Sequence, residues 1–208
     1  MKLKALILVI LLIGAFLSCS RKEESSNQIT NKMSQDLSSL KAEFPFRGKI
    51  VFQSDMDGDN EIYLLTEMSL RKLTDNSWSD EYPKWSPDGK KIAFTANPRG
   101  NYDVFVMNGD GSDITQITNF PEDEIEHAWF PDGRTMAYTE QVKRGFRRSF
   151  TLWKIDLQTG KSEKIIPDFP GSNALPNFSP IAPLMAFTGN RMIGWDVFMF
   201  DLEKKKFW

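Results

Sequence analysis

The chain has 208 residues, with 26 Lys and Arg against 28 Asp and Glu, a formal net charge of −2, one Cys and one His. That balance excludes the strongly basic surface by which nucleic acid is bound. A lone Cys excludes an intramolecular disulfide framework, and a lone His argues against a metal-dependent enzyme built on several imidazoles.

Met1 to Lys4 form a short basic start, and Ala5 to Leu17 an apolar run of 13 residues. A membrane-spanning helix needs about 20 apolar residues, so the run suits a secretory signal better than a span. Phe16-Leu17-Ser18-Cys19 resembles a bacterial lipoprotein signal, with Phe16 in place of the usual Leu. The resemblance implies a signal peptide over 1–18, lipidation at Cys19 and attachment to a membrane through that anchor. Ser20 after the Cys resembles an outer-membrane lipoprotein, and Lys22-Glu23-Glu24 resembles a surface-export signal, although a short charge run also suits a solvated linker. Residues 19–43 are rich in Ser, Asn, Gln, Lys and Glu, carry little that could bury a core, and read as a polar linker.

From residue 44 one phrase recurs. It is clearest as Pro83-Lys84-Trp85-Ser86-Pro87-Asp88-Gly89, followed by Lys91-Ile92-Ala93-Phe94-Thr95. It returns at His127–Thr139, in worn form at Pro176–Pro180 with Leu184–Thr188, and as a second half only at Gly48–Ser54. The closing aromatic falls at 52, 94, 138 and 187, in steps of 42, 44 and 49 residues. A period of about 40–50 residues built of short strands marks propeller blades. The predicted fold is all-β, a β-propeller of about four blades or an incomplete one, each blade a four-stranded antiparallel sheet. The copies cover about 44–82, 83–126, 127–175 and 176–208.

The second copy predicts four strands, at Pro83–Ser86, Lys91–Thr95, Asp103–Met107 and Ile114–Thr118. Ser86-Pro87-Asp88-Gly89 suits a type I turn, and Asn108-Gly109-Asp110-Gly111 a hairpin. The last copy replaces Asp and Gly of the first turn with Ile181 and Ala182 before Pro183, so that corner needs a different turn. The third copy inserts Gln141–Arg148 between its second and third strands. The first copy lacks a clear first strand, and the last stops at Lys206-Phe207-Trp208, where its fourth should form.

Trp-Ser-Pro-Asp-Gly-Lys-Lys-Ile-Ala-Phe-Thr, the later Asp103-Val104-Phe105-Val106-Met107, and the Asp-Gly-Ser and Ile-Thr that follow resemble the TolB-type propeller repeat over roughly 46–208. The repeat also serves in prolyl-oligopeptidase-like peptidases and in some sugar lyases. TolB itself joins an α/β domain to a six-bladed propeller, whereas here a short polar tether precedes fewer blades. The expected forms are a truncated product or open arc, a four-bladed ring in which residues 44–52 complete the last blade, or two chains completing each other. An open strand edge also invites self-association.

Few residues stand out as chemistry. Asp55, Asp57, Asp59 and Glu61 alternate as calcium ligands do. Shifted by one repeat they become Asn97, Arg99, Asn101 and Asp103, which reads them as an acidic version of the ordinary turn. His127 aligns with Pro83 and Pro176 and reads as a loop residue near the hub; no Gly-x-Ser-x-Gly stands ready as a nucleophile elbow. Asp80, Glu124 and Asn173 each precede the phrase's aromatic by five residues, which places them in the loop between blades. In TolB-like propellers those loops face a mouth of the channel where a partner polypeptide docks. With Trp78 as an aromatic anchor and His127 nearby they form the candidate binding set; the alternative is that they tie loop backbone together. Lys143, Arg144, Arg147 and Arg148 surround Phe146 in the inserted loop, which fits either an anionic partner or a solvated hairpin tip.

The expected function is non-catalytic: a cell-envelope lipoprotein presenting a TolB-like propeller to an envelope protein, peptide or glycan, without cofactor. The alternatives are the propeller of a larger peptidase or sugar lyase, and a truncated product without independent function.

Overall fold

A computed structural model of the protein describes residues 47–56, 58–67, 69–191 and 194–208. The signal peptide, Cys19, the linker and Asp57 lie outside the described residues. The chain divides into two compact units at Asp75, described in turn.

In the first unit, β1 (Lys49–Ser54), β2 (Glu61–Thr66) and β3 (Leu70–Lys72) form a three-stranded antiparallel sheet in that order. Tyr63, Leu65 and Leu70 are its buried cluster, joined by Phe52 and Met56, and Phe52 stacks on Tyr63 at 5.7 Å between ring centroids. Lys49–Ser54 is therefore a strand of the first sheet, which corrects the alternative in which residues 44–52 complete the last blade.

The second unit holds three four-stranded sheets, each a meander in chain order. The first comprises β4 (Asp80–Trp85), β5 (Lys91–Ala96), β6 (Asp103–Asn108) and β7 (Thr115–Gln116). The next comprises β8 (Asp123–Trp129), β9 (Thr135–Arg144), β10 (Arg147–Asp156) and β11 (Ser162–Lys164). The last comprises β12 (Ser172–Phe178), β13 (Leu184–Asn190), β14 (Asp196–Asp201) and β15 (Lys206–Phe207). The final strand does form: Phe207 pairs with Phe200, and Trp208 exchanges two backbone hydrogen bonds with Met199 at 3.1 Å each. The insertion in the third copy is not a separate loop but a lengthening of β9 and β10 into one hairpin.

The turns follow their chemistry. The Gly89 N–H donates to the Ser86 carbonyl at 2.9 Å, and the Ser86 hydroxyl donates to Asp88 at 2.7 Å. In the last sheet, where Asp and Gly are missing, the Leu184 N–H reaches the Ala182 carbonyl at 2.8 Å across Pro183. Proline's fixed φ suits such a three-residue turn.

Between neighbouring sheets, small side chains meet large ones. Ala93, Val104 and Val106 share one cluster with Trp129, Met136, Tyr138 and Ile155. In the other, Ala137, Leu152 and Ile165 pack with Met185, Phe187, Phe198 and Phe200. Phe169 is the hub of this second cluster, its ring 5.3 Å from those of Phe187, Phe198 and Phe207. Gly189 makes room for it: a Cβ there would lie 2.4 Å from one Phe169 ring atom and 3.1 Å from Phe198. Overpacking of this kind costs about 1–3 kcal/mol. Gly189→Ala is expected to lower the denaturant midpoint accordingly, and an unchanged midpoint would show that Phe169 moves aside freely.

Candidate binding site on the first strands

The first strands of the three sheets of the second unit run beside one another and hydrogen-bond across. Lys84 Nζ donates to the His127 carbonyl at 2.7 Å, Trp129 Nε1 to the Lys84 carbonyl at 3.1 Å, and the Leu175 N–H to Glu126 Oε2 at 3.1 Å. Each of these strands carries the same defect. The register slips between Glu81 and Lys84 in β4, Ile125 and Ala128 in β8, and Ala174 and Asn177 in β12. Within each slip one non-glycine residue is left-handed: Tyr82 at φ 56°, Glu126 at 53° and Leu175 at 54°. A bulge re-aims the side chains around it. Here Tyr82 and Leu175 are left 55% and 49% exposed.

The residues two places earlier turn inward. Asp80, Glu124 and Asn173 lie inside β4, β8 and β12 and are buried, which corrects their expected place in loops facing the channel mouth. Their work is internal. Asp80 accepts from Asn76 Nδ2 at 2.7 Å, and the same Asn76 accepts the Trp78 N–H at 3.0 Å, so the loop bearing the part-exposed Trp78 is tied down. Asn173 accepts the Leu152 N–H at 2.7 Å. At the equivalent place in the preceding sheet Val104 donates to the Thr118 hydroxyl at 2.8 Å. The third copy has Ile166 where Thr118 stands, and Asn173 supplies the missing acceptor.

Glu124 has no exposed surface and lies against Asp103, which is equally buried. Burial, reinforced by the Asp103 carboxylate, pushes the Glu124 carboxyl up to about 8, and burial also raises Asp103. Glu124 holds its proton against Asp103, and the weaker hydrogen bonds to it from the Phe120 backbone and the Thr118 side chain oppose the shift without reversing it. His127 lies in β8, not in a loop, and is wholly buried, with Nδ1 3.0 Å from the Thr95 hydroxyl. Burial and the nearby Lys84 ammonium hold its pKa down to about 3, so it is neutral and unreachable as a base.

The Asp55 carbonyl accepts the Gly58 N–H at 3.1 Å, and the buried Glu61 pairs with Lys72 Nζ at 3.3 Å. Among the described residues, Asp55, Asp59 and Glu61 included, no three His, Cys, Asp or Glu side chains converge as a metal site.

Two open clefts flank the bulges. One, about 490 Å³, is walled by the repeated Trp85, Trp129 and Phe178 with Pro87, Pro131 and Pro180. The other, about 330 Å³, gathers Leu175, Ala174 and Thr188 with Phe150, Trp195 and the Glu126 carboxylate. Phe150 and Trp195 meet edge to face at 5.6 Å, and Trp195 is 47% exposed. Tyr82, Glu126, Leu175, Phe150 and Trp195 are absent from the sequence-based set. The first three have one signal in the sequence, the position just before Pro83, His127 and Pro176, where the copies carry Tyr, Glu and Leu, three unlike side chains.

Successive antiparallel meanders, packed large face to small face with first strands side by side, define a β-propeller repeat protein. Residues 65–168, half of the chain, match the Tricorn protease N-terminal beta propeller domain, and the chain belongs to that family. It is 31% identical over 125 residues to dipeptidyl-peptidase 5 of Porphyromonas gingivalis, covering 56% of this chain and 17% of that protein. It is 28% identical over 112 residues to the Tol-Pal system protein TolB of Francisella tularensis, covering 54% of this chain and 23% of that one. The structure of putative TolB from Agrobacterium tumefaciens superposes with a TM-score of 0.65 at 20% identity, over 76% of this chain and 59% of that one. The chain thus spans about a quarter or less of the curated relatives it matches.

The buried acid pair has a measurable consequence. The folded state keeps a Glu124 proton that the unfolded chain releases at the ordinary carboxyl pKa of 4.5. Its stability contribution is therefore full below pH 4.5 and lost as pH rises toward 8. Glu124→Gln keeps the shape and removes the titration. The variant is expected to be more stable than the parent at pH 9, by on the order of a few kcal/mol, with the gap closing toward pH 5. Parallel denaturant curves for the two proteins across that range would show that Glu124 is ionised in the fold.

Proposed function

We propose that the protein is a non-catalytic cell-envelope lipoprotein whose TolB-like blades bind a polypeptide, or a glycan, at the cleft beside the first-strand bulges. The observation that carries this reading is the pairing of exposed apolar surface on Leu175 and Trp195 with the Glu126 carboxylate. An apolar side chain of the partner packs on Leu175, Phe150 and Trp195, and a cationic or N–H group meets Glu126. Aromatic anchors at such a centre carry most of the binding energy. Support for a binding role also comes from the state of the titratable groups: the lone His is buried and neutral, and the acid pair is closed to solvent.

Affinity purification of the intact protein from its own envelope, followed by identification of what co-purifies, tests the site when repeated with Leu175→Asp and Trp195→Ala. Each substitution is expected to weaken capture of the identified partner at least tenfold, the factor that about 1.4 kcal/mol represents. A partner held equally by both variants would place binding elsewhere.

In this reading the lipid at Cys19 holds the blades at a membrane, that of the outer membrane by the resemblance at Ser20. Two or three acyl chains give firm anchoring where one would not. Cys19→Ala is expected to move the protein from the membrane fraction to the soluble envelope fraction. A variant that still sediments with membranes would rule out lipidation as the anchor.

A second reading, the propeller of a larger peptidase, is favoured by the 31% identity to dipeptidyl-peptidase 5. In-frame repeat and hydrolase codons following Trp208 in the genome would decide for it.

A further inference from the structure

We propose that the tip of the β9–β10 hairpin docks on an anionic phospholipid surface. β9 and β10 each run ten residues, whereas β5, β6 and β14 run six. Four further residues at about 3.3 Å each carry the tip roughly 13 Å beyond the turns of its sister hairpins. The outer part of the extension adds nothing to the core, since residues 143–149 are all exposed.

Its charges oppose its own pairing. Arg144 stands directly across from Arg147, and Lys143 across from Arg148. Like charges directly opposite one another destabilise a hairpin. Lys143 is paired with Asp123 at the base. Among the described residues no acid is paired with Arg144, Arg147 or Arg148. At the apex, Gly145 takes φ +61° and Phe146 follows in a two-residue turn, the form with glycine first that matches strand twist. Phe146 is entirely exposed. The added residues nearer the base make internal contacts, Gln141 and Lys143 with Asp123 and Phe150 with Trp195, but the tip beyond them sets repelling guanidiniums around a bare aromatic ring and so lowers the hairpin's own stability.

A lipid surface resolves both costs together. Guanidinium forks bind phosphate oxygens bidentately, and an apolar ring such as Phe146 inserts at the boundary between headgroups and acyl chains. An acidic protein would satisfy the arginines, but it would also need a shaped pocket for a ring at the end of a convex tip; a bilayer needs none. Basic residues near an anionic leaflet each add attraction that salt screens.

The test uses the full chain, so that residues 1–46 are common to every variant and differences report the hairpin. Flotation is measured on vesicles of phosphatidylglycerol with phosphatidylcholine and on phosphatidylcholine alone. The parent is expected to partition at least tenfold more strongly to the anionic vesicles, and less so at high salt. Arg147→Glu with Arg148→Glu takes the four-cation tip to zero net charge while turning both like-charge pairs into opposite-charge pairs. That double variant is expected to melt no lower than the parent and yet to lose the anionic preference. Phe146→Ser is expected to weaken anionic-vesicle binding severalfold. Equal partition of the parent to both vesicles, or a preference kept by the double variant, would overturn the proposal. So would displacement from anionic vesicles by a poly-glutamate peptide bound more tightly than the vesicles, which would assign the tip to an acidic polypeptide.

Discussion

The slip in each first strand is the constraint on which the site depends. A left-handed residue with a side chain costs roughly 1–2 kcal/mol relative to its ordinary conformation, and three of them recur at one place in the repeat. What offsets the cost is visible on either side. Before the slip, a polar residue turns inward and satisfies a buried partner, as Asn173 does for the Leu152 N–H. After it, the chain resumes pairing in time to set Trp85, Trp129 and Phe178 in the same wall. The residue in the slip is the one whose side chain is turned outward, so its identity is free of the packing that fixes its neighbours. Tyr, Glu and Leu occupy that place in turn, and two of the three form one edge of the smaller cleft.

The same slip explains where sequence reading succeeds and where it stops. Strand two and strand three of each copy alternate cleanly and are bounded by turns with a known chemistry, so Lys91–Ala96 and Asp103–Asn108 are legible within a residue. The first strand is not legible in this way, because a bulge breaks the period of two that alternation relies on. Asp80, Glu124 and Asn173 then look like loop residues by their polarity, when the fold uses them as buried partners. His127 misleads for the same reason: its neighbours by alignment are prolines, yet its ring sits beside Thr95 with no exposed surface. Phe150 and Trp195 lie 45 residues apart and meet only because two sheets pack face to face, a fact no local pattern carries. The length of the β9–β10 hairpin was readable as an insertion, but its register, and so the opposition of like charges, was not.

A proton held between Glu124 and Asp103 and a neutral imidazole beneath Lys84 are the chemistry of a fold keeping polar groups inside. Glu126, two residues after Glu124, is only half-buried, and its Oε2 accepts the Leu175 N–H at the cleft instead of facing the interior.

The two proposed surfaces share one strand. In an antiparallel hairpin, residues two apart on a strand point to the same face. Phe150, opposite Gln141, and Arg148, opposite Lys143, therefore project from the same side of the β9–β10 hairpin. Phe150 walls the smaller cleft, and Arg148 belongs to the tip about 7 Å further along. A partner seated against Phe150 and Trp195 and a bilayer met by Arg148 and Phe146 would thus lie on one side of a single stiff element. On the two proposals together, the lengthened hairpin would hold a partner seated at Phe150 within about 7 Å, along the strand, of the headgroups met by Arg148.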